Sequence, residues 1–288
     1  MKYFILFTLL LKGILSFAQE RDLATVNYSF SNINYNDSVA TLKYLHFRLN
    51  TPLWKNEKNR IFAGINYKSG YFNNFNLFPE STLHGVGLRL GWNHKIDSIQ
   101  NIILFFQSGI YSDFQDISGK DFRSLIGFSY TKRKSDSFKY GIGAGYSRQF
   151  FGHQVVPFFN LEWKVSPRLA IYGQLPVKQQ IEYSFSSFLI GSKIDGNAAS
   201  YRLSEKHMNQ FVKINEWNYS IYAEKSIYKN LLLNAGIGYN LIRSFKIYED
   251  FEDSSWTIFT IPLSSRDQPI EKVNDRSIFF DISLKLTL

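Results

Sequence analysis

Five histidines are the side chains of this sequence best suited to acid–base or metal chemistry, and their spacing favours neither. None belongs to a His-x-x-x-His pair or to a similar zinc-binding spacing. A hydrolytic site would need a histidine held beside a carboxylate or a serine. His153 follows Gly152 at a turn and His207 stands in a polar segment, so both are better explained as loop residues. The sequence predicts no catalytic residues; the full set of histidines is His46, His84, His94, His153 and His207.

An acidic run, Glu249-Asp250-Phe251-Glu252-Asp253, offers carboxylate ligands for Ca²⁺. It lacks the glycine-containing spacing of a calcium loop, so we interpret it as a solvated loop. The alternating Gly141, Gly143 and Gly145 are not a phosphate-binding fingerprint, because no helix follows them. We expect neither a metal ion nor a cofactor.

The remaining charged residues of interest stand on the polar side of stretches in which apolar and polar residues alternate. Successive side chains of a β-strand point to opposite faces, so these charges would share one face of a sheet. Both signs occur, and two interpretations stay open: charges that set the selectivity of a pore, or ion pairs that fill a closed interior. The candidates are Arg48, Lys68, Arg89, Glu162, Glu182, Glu224, Asp281 and Lys285.

The elements that would position these charges show the same alternation most clearly at the end of the chain. From Ile278 to Leu288, every second residue is apolar, and polar residues fill four of the five gaps: Asp281, Ser283, Lys285 and Thr287. Segments of about ten residues with this repeat are typical of transmembrane β-barrel strands. No apolar run of about 18 residues follows the N-terminal segment, which excludes transmembrane helices.

The chain from Ala24 onward divides into about fourteen such stretches, with no linker and no domain boundary. Short connections alternate with longer ones, as in bacterial barrels with short periplasmic turns and longer outside loops. We expect an all-β, antiparallel, up-and-down transmembrane β-barrel of about 14 strands. Twelve is the alternative if the pair around Ser186 merges and one terminal strand is miscounted. The longer connections are predicted at Asn32–Ala40, Gly70–Ser81, Ser112–Asp121, Gly196–Ile214 and Ile247–Asn274.

A soluble β-sandwich would also alternate, with its apolar face inward. The polar face of this chain is dense in Gly, Ser and Asn with isolated charges, which suits a crowded, wet lumen better than a soluble surface. Trp54, Trp92 and Trp163 stand where descending strands meet short turns, the place of a periplasmic aromatic girdle. These features favour the membrane barrel.

The N-terminus has the pattern of a secretory signal peptide. Lys2 precedes an apolar stretch and Ser16-Phe17-Ala18 is a small-x-small cleavage site, so we expect a signal peptide over residues 1–18 and a barrel domain over 19–288. The sequence contains no cysteine, which excludes disulfides and thiolate chemistry. The net charge of +9 is spread without a basic block, so nucleic-acid binding is not expected.

Several short motifs resemble a family of uncharacterised Bacteroidota outer-membrane β-barrel proteins, classed as a domain of unknown function. They are the Gly-Tyr hairpins, the turns Leu175-Pro176-Val177-Lys178 and Lys229-Asn230-Leu231, and the segment Ser200-Tyr201-Arg202-Leu203. The resemblance covers nearly all of the chain after the signal peptide, and it implies an outer-membrane barrel without catalytic residues. One departure is the last residue: barrel C-termini commonly end in Phe, which the assembly machinery favours, whereas this chain ends in Leu288.

We therefore expect a protein of the cell outer membrane that contacts its lipids and is recognised by the barrel assembly machinery through its C-terminal strand. The first functional hypothesis is a small, non-catalytic pore or transport barrel. The second is a closed structural or ligand-binding barrel that acts through its extracellular loops. The third, less favoured, is a hydrolase active at the barrel rim.

Overall fold

The computed structural model describes residues 22–35, 38–75, 77, 82–208, 210–249, 254–264 and 268–287. The predicted signal peptide, the core of the acidic run at Asp250–Asp253, and Leu288 lie outside these residues. The described part forms two short 3₁₀ turns, Gly119–Asp121 and Glu205–His207, and seventeen strands. The strands are β1 (Asp22–Tyr35), β2 (Ser38–Lys55), β3 (Asn59–Asn73), β4 (Thr82–Lys95), β5 (Gln100–Ser112), β6 (Phe122–Ser135), β7 (Phe138–Gln149), β8 (Gly152–Lys164), β9 (Leu169–Leu175), β10 (Lys178–Ser184), β11 (Leu189–Arg202), β12 (Phe211–Tyr228), β13 (Leu231–Tyr248), β14 (Trp256–Ile258), β15 (Ile261–Pro262), β16 (Glu271–Asp275) and β17 (Ile278–Thr287).

Fourteen of these strands close into an antiparallel β-barrel. Each of β1 to β13 pairs with its neighbours in chain order, and β17 pairs with both β13 and β1, which completes the ring. The strands β14 to β16 belong to the long connection between β13 and β17. The expected fourteen-stranded barrel is confirmed. The twelve-stranded alternative is wrong, because a turn around Ser186 separates β10 from β11, closed by the hydrogen bond from Phe185 N to Phe188 O (2.8 Å).

The two ends of the barrel differ. At one end, which we call the turn end, the connections are short, as predicted. The other end, which we call the loop end, carries the longer connections, including the one between β13 and β17. Trp54, Trp92 and Trp163 all lie exposed close to the turn end, as the sequence indicated. No helix in the described residues is long and apolar enough to cross a membrane.

The outer side of the barrel is an apolar belt to which every strand of the ring contributes. In β17, the side chains of Ile278, Phe280, Ile282, Leu284 and Leu286 remain 39–55% exposed, while the residues between them point inward. Such a belt would be costly in water, and it is the surface that a barrel presents to lipid.

A β-bulge in β13 changes the alternation at one point. Trp217 pairs with Ile242, but the next residue, Asn218, pairs with Asn240, so Leu241 is the extra residue. Leu241 and Ile242 are consequently both exposed on the outside, and Arg243 turns inward. A strict period of two would have placed Arg243 on the belt.

Aromatic rings on the inner side lie over glycines of neighbouring strands. The Phe62 ring occupies the space where a Cβ of Gly91 would stand, and the Phe158 ring does the same at Gly143. The glycine-rich polar face noted in the sequence therefore accommodates bulky rings inside a closed barrel.

The barrel wall is shorter at β9 and β10 than elsewhere, because these strands have only seven residues each. β8 pairs with β9 only from Phe159 to its turn end, and β11 pairs with β10 only up to Asp195. Above this gap, β14 lies parallel to β8 and pairs Trp256–Ile258 with His153–Val155. A segment of the longest connection thus completes the wall beside β8.

Two predicted loops are wrong. The sequence suggested a polar loop over Gly196–Ile214, but β11 continues to Arg202 and β12 begins at Phe211. The reason is burial: Leu203, Phe211 and Val212 are fully buried at the loop end, which stabilises extended structure there. Similarly, Asn32–Ala40 is mostly strand, since β1 and β2 stay paired up to Tyr35 and Ser38.

The apolar belt makes a testable prediction at Ile237, which is midway along β13 and pairs with Phe280 and Ile221. Ile237→Arg should lower the free energy of unfolding by about 2–4 kcal/mol, the cost of a cationic side chain on the lipid face near the bilayer midplane. Ile227→Arg is the matched control, because Ile227 is equally exposed (50% against 49%) but lies near the turn end. There the cost should be about 0–1 kcal/mol.

The measurement is urea unfolding of both variants in lipid vesicles. Equal losses of stability would show that the belt does not lie across a bilayer at the assumed depth.

Candidate functional site

The candidate site is the lumen, which is the space enclosed by the inner side of the fourteen strands. The eight charged residues singled out from the sequence all stand on strands of this ring, and several of them alternate with exposed apolar residues. For example, Arg89 stands between the exposed Leu88 and Leu90. The set is Arg48 on β2, Lys68 on β3, Arg89 on β4, Glu162 on β8, Glu182 on β10, Glu224 on β12, and Asp281 and Lys285 on β17.

The structure brings some of these charges together as ion pairs. Lys285 Nζ donates to Glu224 Oε2 at 2.5 Å, joining β17 to β12 across β13. Glu162 accepts from Lys139 Nζ at 3.4 Å on the neighbouring strand. Arg48, Lys68 and Arg89 lie on another part of the wall, on β2, β3 and β4.

A second polar group, which the sequence did not single out, surrounds Glu182. The hydroxyl of Tyr222 donates to Glu182 Oε1 at 2.5 Å and accepts from Gln180 Nε2 at 2.7 Å. Gln180 Nε2 also lies 3.4 Å from the Tyr172 hydroxyl. Two tyrosines and one glutamine on the polar faces of three strands were visible in the sequence, but only the barrel closure brings them together.

At the loop end, the lumen is covered by a cluster of buried apolar side chains, which we call the closure. Its members come from β1 to β4, from β11 to β13 and from β16, so they converge from many strands. Several are fully buried. The members are Ile33, Ala40, Leu42, Phe72, Phe75, Leu77, Leu83, Tyr201, Leu203, Val212, Ile214, Phe245, Ile247 and Val273.

A smaller aromatic cluster extends the closure toward β7 and β8. The Phe211 ring stacks between Phe150, at 6.2 Å, and Tyr248, at 5.2 Å. The Arg123 guanidinium lies 3.3 Å from the centre of the Phe150 ring, in cation–π geometry. The turn between β7 and β8 is thereby fixed to β12 and β13.

The end of β11 crosses the mouth of the barrel to complete this closure. In the ring, β11 is six strands from β5, yet Arg202 pairs with Ser112 in a parallel bridge. Ser200 Oγ accepts from Phe150 N at 3.3 Å and donates to Gln149 Oε1 at 3.2 Å. Because β9 and β10 are short, the end of β11 has no β10 partner holding it in the wall, and it can lean over the lumen.

Arg202 holds this crossing in place. Its side chain is almost fully buried and donates to Asp121 and to Asp116 Oδ1 (2.6 Å), both in the connection between β5 and β6. Burial disfavours the charged form of Asp116, but hydrogen bonds from Arg202 and from the Glu205 amide outweigh it and lower the pKa of that carboxyl. The carboxyl of Asp121 also accepts from Ser118 N at 3.0 Å. Charge-assisted hydrogen bonds of this kind fix geometry strongly.

Arg243, which the bulge in β13 turns inward, forms a second buried centre. Its guanidinium donates to Asp275, to Ser31 Oγ (2.6 Å) and to Ser277 Oγ (2.6 Å). These partners belong to β16, to β1 and to the residue before β17. Arg243 therefore ties the longest connection to the ring at the seam between the first and last strands.

The family of the chain can be identified from its sequence. Residues 25–257 match the family described as a domain of unknown function, DUF6268. The chain belongs to this family. No curated protein matches the sequence. Membership in a family classed as a domain of unknown function is what the turn motifs led us to expect, and it is confirmed.

Solved structures similar to this DUF6268 chain include several barrels. They are the KdgM porin in complex with disordered oligogalacturonate (8% identity, 92% of this chain and 99% of that chain, TM-score 0.37), the NanC porin (8%, 92% and 100%, 0.41) and the TodX monoaromatic hydrocarbon channel (13%, 95% and 92%, 0.39). These identities and TM-scores are too low to transfer any property of those proteins to this chain.

Two histidines of the DUF6268 chain pack against aromatic side chains. His153 stacks on Trp256 with ring centres 4.5 Å apart, and its Nδ1 lies 2.8 Å from the Tyr146 hydroxyl. His84 Nδ1 lies 3.0 Å from the Tyr67 hydroxyl. Among the described residues, no group of His, Asp and Glu is arranged to hold a metal ion.

The role of Arg202 in holding the loop end closed can be tested by substitution. Arg202→Met would leave the fully buried Asp121 without its guanidinium partner. Removing one partner of a buried ion pair costs about 3–5 kcal/mol. Hydrogen exchange of the backbone amides of β11 and β12 near the loop end should accelerate correspondingly, while exchange near the turn end should be unchanged.

Lys120→Met is the matched control, because it removes the exposed pair between Lys120 and Glu205 (3.2 Å) at the same end of the barrel. An exposed pair contributes about 0–1 kcal/mol. If the two variants exchange alike, Arg202 does not hold the closure.

Proposed function

We propose that this DUF6268 protein is an outer-membrane transport barrel that conducts small solutes through its polar lumen and is closed at its loop end in the resting state. The observation that carries the proposal is the charged lumen beneath the closure. Side chains such as Arg48, Lys68, Glu182 and Lys285 keep partial exposure to solvent inside the ring. Charged side chains lining a lumen are the groups that set ion selectivity in many pores.

Stability alone does not account for this lining. Buried ion pairs are weak sources of stability, and apolar residues of similar volume often replace them without loss. The closure itself is built from apolar side chains, so the same chain fills space with hydrocarbon where it seals. The polar lining is therefore better explained by water and solutes in the lumen.

The proposal also assigns surroundings to the two ends. The apolar belt would contact outer-membrane lipids, the turn end would face the periplasm, and the loop end would face outward. The C-terminal strand β17 would be the segment that the barrel assembly machinery recognises, with Phe280 as an exposed aromatic residue near its start. Catalysis has no role in the proposed function.

The closure would act as the gate. The buried centres at Arg202 and Arg243 attach the loop-end segments to the ring through a few hydrogen bonds. Opening would break these hydrogen bonds together. Opening would move the end of β11 away from β5 and the turn between β7 and β8. The part that moves during gating is thus the end of β11 that lies across the lumen, and the strands of the ring stay in place.

A second candidate function is favoured by the size of the closure. A cluster of fourteen buried residues resembles a permanent core, and it would suit a closed barrel that binds ligands through its outer loops. The two candidates differ in a measurable way, because a permanently closed barrel carries no current.

Planar-bilayer recordings test the proposal. Wild type should show sparse, discrete openings, and Arg202→Met should raise the open probability because it weakens the closure. Lys120→Met should behave as wild type. Absence of discrete current from all three, with heat-modifiable gel mobility showing folded barrels, would contradict transport and support the closed barrel.

A further inference from the structure

Four neighbouring strands, β5 to β8, form an uncharged area on the inner side of the barrel, which we call the neutral strip. Three consecutive rows of paired residues cross these strands, and no residue in the rows is charged. The part of the lumen wall around β17, by contrast, carries charges of both signs. The rows run from Asn101 to Asn160, from Ile103 to Phe158 and from Phe105 to Val156.

β7 contributes no side chain to the strip, because its residues in the three rows are the alternating glycines Gly141, Gly143 and Gly145. The Phe158 ring occupies the space where a Cβ of Gly143 would stand, and the backbone of β6 lies against Gly141. Gly145 is different, since a Cβ built on it would meet no atom nearer than 3.9 Å. At every other glycine of the described ring strands, an atom lies within 2.9 Å of that position. The packing of the barrel therefore leaves a groove over Gly145.

The groove has apolar walls. Phe105, whose ring lies over the neighbouring Gly127, borders it on the β5 side, and Val156 borders it on the β8 side. Leu125 Cδ1 lies 3.9 Å from the Cβ position of Gly145. Phe105, Leu125 and Val156 are each partly exposed, whereas Gly145 is buried at the base between them. The groove is thus a concave apolar feature of the lumen wall.

A row of hydrogen-bonding groups lies beside the groove toward the turn end. Thr131 Oγ1 donates to Asn101 Oδ1 at 2.7 Å, and Asn160 Nδ2 donates to Ser129 Oγ at 2.7 Å. On β9, Gln174 extends the row, because its Nε2 donates to Asn160 Oδ1 at 3.0 Å. A side-chain amide offers two donor hydrogens and two acceptor lone pairs, which is more than these bonds use. The row can therefore hydrogen-bond to a further neutral molecule.

The rows also give the strip a direction along the lumen. They run perpendicular to the strands, and the strands of a membrane barrel are tilted by about 35–45°. From β5 to β8 the rows cross three strand spacings, about 14 Å, and climb along the barrel axis as they do so. An extended molecule that lies along the rows would consequently lie along the transport path.

We infer that the groove over Gly145 is a subsite for a sugar ring and that the neutral strip binds uncharged oligosaccharides. A sugar ring has an apolar face of C–H groups, which fits against phenyl and aliphatic side chains, and an edge of hydroxyls, which fits amides and hydroxyls. Mostly apolar walls with a few polar groups that fix orientation are typical of ligand sites. Ionic groups would lose hydration in the strip without meeting a countercharge. The inference rests on the proposed transport function, to which it adds a class of substrate.

Titration calorimetry of the folded barrel tests binding without any current. The probes are maltohexaose, cellohexaose and mannohexaose, with a polyethylene glycol of similar mass as the negative control. The wild type and Arg202→Met, whose closure is weakened, should bind at least one of the three saccharides and not the polyethylene glycol.

Gly145→Val is the decisive variant, because its side chain would fill the groove without meeting a protein atom. Binding should weaken more than tenfold, while heat-modifiable gel mobility shows a folded barrel. Ala144→Val is the matched control, since it adds bulk at the next residue, which pairs with the exposed Phe128 on the outer side. Its affinity should equal that of the wild type.

A second pair of variants tests the aromatic wall. Phe105→Leu keeps an apolar side chain but removes the ring, and it should weaken binding about threefold to tenfold. Phe279→Leu is its control, because the Phe279 ring also lies over a glycine, Gly238, but on β17 outside the strip. That variant should bind as the wild type does.

Planar-bilayer recordings separate this inference from the transport proposal. A saccharide that binds should interrupt the openings of Arg202→Met, and less so when Gly145→Val is added. Binding that Gly145→Val abolishes, without current from any protein, would support the strip and contradict transport. Discrete current with no binding of any of the three saccharides, or with equal binding by the wild type and Gly145→Val, would overturn the strip and leave transport intact.

Discussion

Backbone hydrogen bonding in apolar surroundings is the constraint on which the whole structure depends. A strand that faces hydrocarbon cannot leave its N–H and C=O groups unpaired, so a sheet in that setting has to close on itself. In this chain the last strand closes the ring, since β17 pairs along its length with β13 on one side and β1 on the other. Outward apolar side chains, such as Phe280 and Ile237, and inward polar ones are consequences of that ring.

Closing the ring also creates an interior, and the chain treats its two parts differently. Toward the turn end the interior is polar, while at the loop end apolar side chains and two buried arginine centres seal it. The shortness of β9 and β10 makes this seal possible. The end of β11 has no partner from β10 beside it there, so it can cross the lumen at the loop end. In the proposed transport function, opening would move this end of β11 away from the mouth of the barrel.

The number of strands, the apolar outer face and the position of the tryptophans at the turn end could be predicted from the sequence, because each depends on a local period of two and on turn residues. The predictions that were wrong concern features that depend on contacts between residues distant in sequence. The segment around Tyr201 and Leu203 looked like a polar loop, since nothing local shows that Phe245 and Leu42 meet it at the mouth. Arg243 was assigned no role because a bulge, set by pairing with β12, turns it inward.

The crossing of the mouth by β11 is the central claim, and cross-linking tests it most directly because the sequence contains no cysteine. Gln149→Cys and Ser200→Cys, combined in one chain, replace side chains whose oxygens lie 3.2 Å apart. A short bifunctional thiol reagent applied to the membrane-embedded protein should link them in high yield. Along the wall alone, β7 and β11 would be four strand spacings apart, about 19 Å. Failure to form the link, while the adjacent-strand pair Ser147→Cys/Gln154→Cys is linked, would contradict the closed mouth.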